Sequence, residues 1–198
     1  FLAWFYLRLK GVVVEGKKNI PFGRPTIFYA NHPSLLDPFI ILTLGFWPKI
    51  VFCPSFLPWS LAAEEVMEKF KLKWLLNYVC IPVRRGRGGS EVFRRAESKI
   101  KQGQSILIFP EGRRTGREKL SKLKGGIFIL WSLCPDAFLV PVKISGSSLV
   151  LPPNSFWPKW KKHKIKVSFG QKFLMSTDFK EKKPEEFLKI LFDLLEVL

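Results

Sequence analysis

Thr26–Pro38 reads TIFYANHPSLLDP. Its first five residues, Thr26–Ala30, are β-branched, aromatic or small and suit a buried strand. They pass without a linker into a polar turn holding His32 and Asp37, with four residues between them. A continuous helix would set those two side chains about 140° apart, and Pro33 and Pro38 disfavour that helix. Asp37-Pro38 is read as an N-cap followed by the first helical residue. The turn before it can then fold His32 back against Asp37. A carboxylate beside an imidazole fixes the tautomer and stabilises the imidazolium, which makes a general base. By itself the pair reads first as a plain helix cap beside a buried, hydrogen-bonded histidine.

Strand, polar turn, helix is a repeating unit along the chain. Further strands are expected at Gly11–Val14, Ile50–Cys53, Tyr78–Val83, Ser105–Phe109, Phe138–Ile144 and Ile165–Phe169. Helices are expected at Ser90–Gln102, Gly125–Leu133 and Pro184–Leu198. In the first, Ser90 is the expected cap, Val92, Phe93, Ala96 and Ile100 share a face, and Gly103 ends it. In the last, Pro184, Glu185 and Glu186 suit an N-terminus. The alternation predicts an α/β fold, a largely parallel central sheet flanked by helices. Such sheets bind ligands at the carboxyl ends of their strands.

A length of 198 residues suits one domain, 1–198. The balance of 33 Lys and Arg against 16 Asp and Glu, a net charge of +17, calls for a polyanionic partner. The 7 Trp and 19 Phe favour an anionic membrane surface among such partners. No nucleic-acid fingerprint stands out. Cys53, Cys80 and Cys134 have no metal spacing and read as reduced core residues. No charge-free apolar run is long enough to span a bilayer. Phe1–Leu9, FLAWFYLRL, reads either as an interfacial helix or as the remnant of an N-terminal anchor, and a start at Phe1 suggests a trimmed chain.

Three more strand ends carry polar chemistry. Ile81–Arg87, IPVRRGR, places Arg84, Arg85 and Arg87 after an apolar strand, where forked donors suit phosphate. Ile106–Thr115, ILIFPEGRRT, runs into Glu111, Gly112, Arg113 and Arg114. Gly112 permits a tight backbone, and Glu111 either orders the arginines or meets a substrate hydroxyl. Lys122 and Lys124, before Gly125-Gly126, extend the positive surface to a helix start. Phe138–Ile144, FLVPVKI, can line an acyl groove or simply be core. Each has a plain structural reading when taken alone: a solvated basic edge, a surface turn, a core strand.

Together NHPSLLD, IPVRR, FPEGRRT and VPV, in this order over roughly 11–170, resemble the glycerophospholipid acyltransferase family typified by lysophosphatidate acyltransferase. The resemblance implies that family's α/β fold and direct transfer of a fatty acyl group from acyl-coenzyme A or acyl carrier protein to the free hydroxyl of lysophosphatidate. It implies no metal, no cofactor and no acyl-enzyme. His32 would be the base and Asp37 its partner. Arg85, Glu111, Gly112 and Arg114 would serve the acceptor and its phosphate, together with Lys124. Pro141 would lie near the acyl-binding region. The setting implied is the cytoplasmic face of a membrane. The chain departs from the family pattern at Val79, Arg84 and Arg113, which bears on acceptor identity. Glycerol 3-phosphate or another lysolipid is the nearest alternative acceptor. A non-catalytic basic module that binds membrane or nucleic acid is the alternative of another class.

Overall fold

The computed structural model describes residues 7, 10–46, 48, 53, 56–64, 78–83, 89–117, 119–152, 155, 158–159, 164–175 and 183–198. Among them, seven strands form one sheet: β1 (Val13–Glu15), β2 (Thr26–Ala30), β3 (Trp59–Ala63), β4 (Cys80–Val83), β5 (Ile106–Ile108), β6 (Phe138–Ser145) and β7 (Lys166–Phe169). The spatial order is β1-β7-β6-β2-β5-β3-β4. From β6 to β4 all neighbours run parallel. β7 turns antiparallel to β6 and carries β1 parallel to itself at the edge. The carboxyl ends of β2, β3, β4, β5 and β6 therefore open on one side of the molecule.

β2 is central because both of its faces are apolar, and all five of its residues are buried. Ile27 and Tyr29 pack on one face against α2 (Gly89–Lys101), α3 (Gly126–Leu133) and α5 (Pro184–Val197). Phe28 and Ala30 pack on the other, against α1 (Asp37–Ile40) and the π-helical turns that prolong it over Ile41–Gly45. Short α4 (Ser147–Val150) closes that second layer through Val150. Each layer is built on an aromatic cluster. Trp131 and Phe187 lie 4.8 Å apart, with Phe128 edge-on to Phe187 at 5.3 Å. Across the sheet, Phe28, Phe46 and Phe169 meet edge to face at 5.2–6.3 Å. Such edge-on pairs match ring edge to ring face and add to the burial of area. Burial also pushes the Tyr29 hydroxyl above the ordinary phenol range.

The expected α/β sandwich is present, with differences that have causes. β3 was not anticipated: WSLAA is poor in β-branched residues, and pairing with β4 and β5 overrides that weak propensity. β4 begins at Cys80 rather than Tyr78, which is 72% exposed. Of Ile50–Cys53 only Cys53 falls among the described residues, and it is not in a strand; of Phe1–Leu9 only Leu7 does, and it is buried. α2 starts at Gly89, so Ser90 lies inside the helix instead of capping it. Its other end follows expectation: Gly103 N–H reaches Ile100 O at 2.9 Å and Gln104 N–H reaches Lys99 O at 3.0 Å, a Schellman closure. Cys80 and Cys134 are buried, Cys53 half-buried, and all three are free thiols. No helix among the described residues is long and apolar enough to cross a membrane.

Phe187 is fully buried between Trp131 and Phe128. Phe187→Ala is expected to lower the unfolding free energy by about 3–5 kcal/mol. Urea unfolding should show this as a lower midpoint at unchanged slope.

Candidate active site

His32 is the second residue past the end of β2. Its ring stacks on Phe109, the first residue past β5, with centroids 4.1 Å apart. His32 Nδ1 lies 2.9 Å from Asp37 Oδ2. The turn Pro33–Leu36 brings the two together as the sequence suggested. Asp37 does not cap the helix. It is the first residue of α1, Leu36 stands at the cap, and no side chain caps the end. The reason is that the carboxylate is spent backwards on the turn: Oδ2 also accepts Ser34 N–H at 2.7 Å. Oδ1 accepts Ser147 Oγ–H at 2.6 Å, from the residue that opens α4.

Asp37 is fully buried, whereas the His32 side chain keeps 16% of its exposure. Burial pushes the Asp37 carboxyl above the usual carboxylate range, and hydrogen bonding and attraction from His32, with bonds from Ser147 and Ser34, pull it back. Asn31 anchors the preceding residue. Its amide donates to Ile144 O at 2.9 Å and accepts Ile144 N–H at 2.8 Å, prolonging the β2–β6 ladder with a side chain.

A second buried carboxylate fixes the other side of His32. Glu111 Oε1 accepts the main-chain N–H of His32 at 2.9 Å. Glu111 Oε2 accepts Ser121 N–H at 3.0 Å and Ser121 Oγ–H at 2.5 Å. Glu111 is 2% exposed and does not line the cleft at these strand ends. Both of its oxygens are already used to tie the 111–124 loop to His32. Thr115 N–H adds a bond to His32 O at 3.0 Å.

A cleft of about 610 Å³ opens at these strand ends, a size that suits a small-molecule site. His32, Pro110, Gly112, Arg113, Arg114 and Lys124 form its polar and basic part, and the arginines and Lys124 are exposed. Its deeper part is apolar, with Leu61, Ala63, Val83, Val92, Phe93 and Ile127 among the walls. Gly112 adopts φ 68°, and a Cβ there would lie 2.9 Å from Lys124 Cδ. Lys124 therefore lies directly over the glycine. His32 stands where the basic rim meets the apolar cleft, an arrangement that suits an amphiphile with an anionic head.

The structure thus brings His32, Asp37, Gly112, Arg114 and Lys124 together. Arg85, with Arg84, lies outside the described residues. Pro141 is not at the cleft: its ring packs against Gly170, where an added Cβ would come within 2.6 Å of it, close to Leu198. Among the described residues no three His, Cys, Asp or Glu side chains cluster as a metal site. Sequence reasoning missed Ser34, Ser121 and Ser147, since short hydroxyls carry no local signal of a distant partner.

A family described as Acyltransferase matches residues 11–145 of the chain. The chain is 27% identical over 165 residues to the 1-acyl-sn-glycerol-3-phosphate acyltransferase of Bacillus subtilis (strain 168), covering 81% of this chain and 73% of that protein. It is 27% identical over 150 residues to the chloroplastic 1-acyl-sn-glycerol-3-phosphate acyltransferase LPAT1 of Arabidopsis thaliana, 72% of this chain and 38% of that protein. It is 28% identical over 173 residues to a probable enzyme of the same name from Mycoplasma genitalium, 83% of this chain and 59% of that protein. The chain thus spans less than two thirds of the length of the plant and mycoplasma relatives. The crystal structure of the 1-acyl-sn-glycerophosphate acyltransferase from Thermotoga maritima superimposes with a TM-score of 0.67 at 26% identity, covering 98% of this chain and 76% of that one.

Glu111→Gln puts an amide where a carboxylate oxygen accepts two bonds from Ser121. The loss is expected to cost about 1–3 kcal/mol of stability. Hydrogen exchange at the Ser121 and His32 amides should accelerate well beyond that at Ile27.

Proposed function

The chain belongs to the acyltransferase family, and on that premise we propose that it transfers a fatty acyl group from acyl-coenzyme A or acyl carrier protein to the free hydroxyl of lysophosphatidate, giving phosphatidate. One observation carries this reading: a largely buried but still accessible imidazole backed by a buried carboxylate, set between a basic rim and an apolar cleft. Proteins named for the same acceptor, similar to this chain over most of its length, support that acceptor.

In this mechanism the acceptor's phosphate sits against Arg114 and Lys124, with Arg85 as a further ligand. Its hydroxyl then faces His32 Nε2, because Nδ1 is engaged by Asp37. Holding hydroxyl and thioester together replaces an encounter by a bound pair, a large part of any such rate enhancement. Nε2 takes the hydroxyl proton as oxygen attacks the thioester carbonyl. Asp37 stabilises the imidazolium that forms. The tetrahedral oxyanion collapses, the C–S bond breaks, and the thiolate leaves and takes up the proton held on His32. The acyl chain occupies the apolar cleft. The stacked Phe109 ring fixes the tilt of the imidazole. Direct transfer of this kind uses no resident metal or cofactor.

The +17 charge supports action at an anionic membrane surface, at the cytoplasmic face, where a lysolipid acceptor is reached without leaving the bilayer.

His32→Ala is expected to abolish acyl transfer from labelled acyl-coenzyme A to lysophosphatidate in detergent while far-UV dichroism stays unchanged. Substantial turnover by the folded variant would sink His32 as base. Asp37→Asn should lower kcat by roughly 10²–10⁴-fold with little change in acceptor KM. Arg114→Ala should instead raise the KM for lysophosphatidate about tenfold, with a smaller effect on an acceptor lacking phosphate. Equal effects on both acceptors would place the phosphate elsewhere. If glycerol 3-phosphate or another lysolipid is used better than lysophosphatidate, the acceptor assignment changes and the chemistry stands.

A further inference from the structure

Asp37 has no exposure to solvent, so each of its oxygens needs a donor from the protein. Oδ2 has two, His32 Nδ1 and Ser34 N–H. Among the described residues Oδ1 is served by Ser147 Oγ–H, at 2.6 Å. Ser147 is itself fully buried and lies 110 residues further along the chain.

The backbone is bent to deliver this hydroxyl. Gly146, which follows β6, has φ 80°, and a Cβ there would lie 2.1 Å from Lys164 O. Only glycine fits, and the turn it makes points the start of α4 at the His32 loop. The hydroxyl is not needed by α4: Gly146 is the cap residue, and no side chain caps that end. The far end of α4 is tied to the same loop, since Ser34 Oγ–H donates to Leu151 O at 2.9 Å. α4 is thus fastened at both ends to the segment that carries His32 and Asp37.

We propose that Ser147 is a positioning residue for the His32–Asp37 pair, holding the carboxylate in the one rotation that presents Oδ2 to the imidazole. Without the hydroxyl, Oδ1 is a buried anionic oxygen with no donor. The carboxylate then turns to share the donors of Oδ2 and withdraws from Nδ1. The imidazole then loses the partner that fixes its tautomer and its orientation. Among the described residues, the groups facing the pair are Ser34 and Ser147 on the carboxylate side, Glu111 behind the His32 main chain, and Arg113, Arg114 and Lys124 on the cleft rim. None of the charged ones is altered by a change at Ser147. The proposal rests on His32 acting as the base of acyl transfer, and its test includes a readout that needs no turnover.

Ser147→Ala, Ser147→Thr and Ser148→Ala are compared with the unaltered chain. Ser148 is a buried neighbour without a place in the network and controls for packing. Transfer to lysophosphatidate gives kcat and KM. Imidazole nitrogen NMR gives the His32 tautomer directly, assigned with His163→Gln, because the chain has 2 histidines. Ser147→Ala is expected to lose about 10- to 100-fold in kcat at unchanged acceptor KM. The His32 ring nitrogen resonances should move from those of one fixed tautomer towards those of a tautomer mixture. Ser147→Thr should restore most of each, and Ser148→Ala should resemble the unaltered chain. A Ser147→Ala protein with unaltered kcat and unaltered His32 nitrogen resonances overturns the proposal and leaves the acyltransferase reading standing. Shifted resonances in a chain that transfers no acyl group to any lysolipid overturn that reading and retain the coupling of Ser147 to the pair. Equal losses in Ser147→Ala and Ser148→Ala, with no change in the His32 resonances, reduce the residue to packing and overturn the proposal.

Discussion

The structure turns on a carboxylate closed off from solvent. Asp37 is sealed beneath the strand ends, and an unpaired charge there would cost several kcal/mol. Its partners come from three places: His32 after β2, the Ser34 amide in the turn, and Ser147 after β6. Satisfying one group therefore fixes the loop after the central strand, the entry into α1 and the exit from β6. The requirement runs in both directions. The fold must converge on Asp37 to bury it, and once it has, the imidazole has one place to be.

Glu111 repeats the device on the opposite side of His32. It holds the His32 amide with one oxygen and Ser121 with the other, so the loop that carries Gly112, Arg114 and Lys124 is tied to the base by the polypeptide itself. Two buried acids thus do different work from their position in the motif alone. Asp37 acts on the imidazole ring, while Glu111 acts on the backbone that carries it. Arg113, Arg114 and Lys124 of the loop stay exposed at the rim of the cleft.

The division of the cleft follows from the sheet. Because β2, β3, β4, β5 and β6 run parallel, their carboxyl ends deliver polar turns to one edge, while the strands and α2 and α3 beneath present apolar side chains. One cavity thus joins a basic rim to apolar walls, with His32 at the boundary. Phe109 belongs to both parts. It continues a buried strand and stacks on the His32 ring.

Strands such as Thr26–Ala30 and Phe138–Ser145 were legible because burial on both faces demands continuous apolar runs, and α2 and α5 because their apolar periodicity and end signals agree. β3 was not legible, since WSLAA is a strand only through its neighbours. In the site, the closeness of His32 and Asp37 followed from two prolines that forbid a straight helix, a local constraint written in adjacent residues. The cap role read for Asp37 failed because its oxygens answer donors that the sequence keeps elsewhere. Ser147 lies 110 residues from Asp37 and Ser121 ten from Glu111, and a serine says nothing locally about what it will meet. Pro141, read as part of an acyl site, packs against Gly170 for the same reason: which face of a strand meets which layer is settled by pairing and twist. By itself the sequence determined the α/β alternation, the basic character and the residue types able to carry the chemistry. The tertiary structure alone decided which of them meet, because a hydrogen bond is made by position in space and the chain's order does not encode distance.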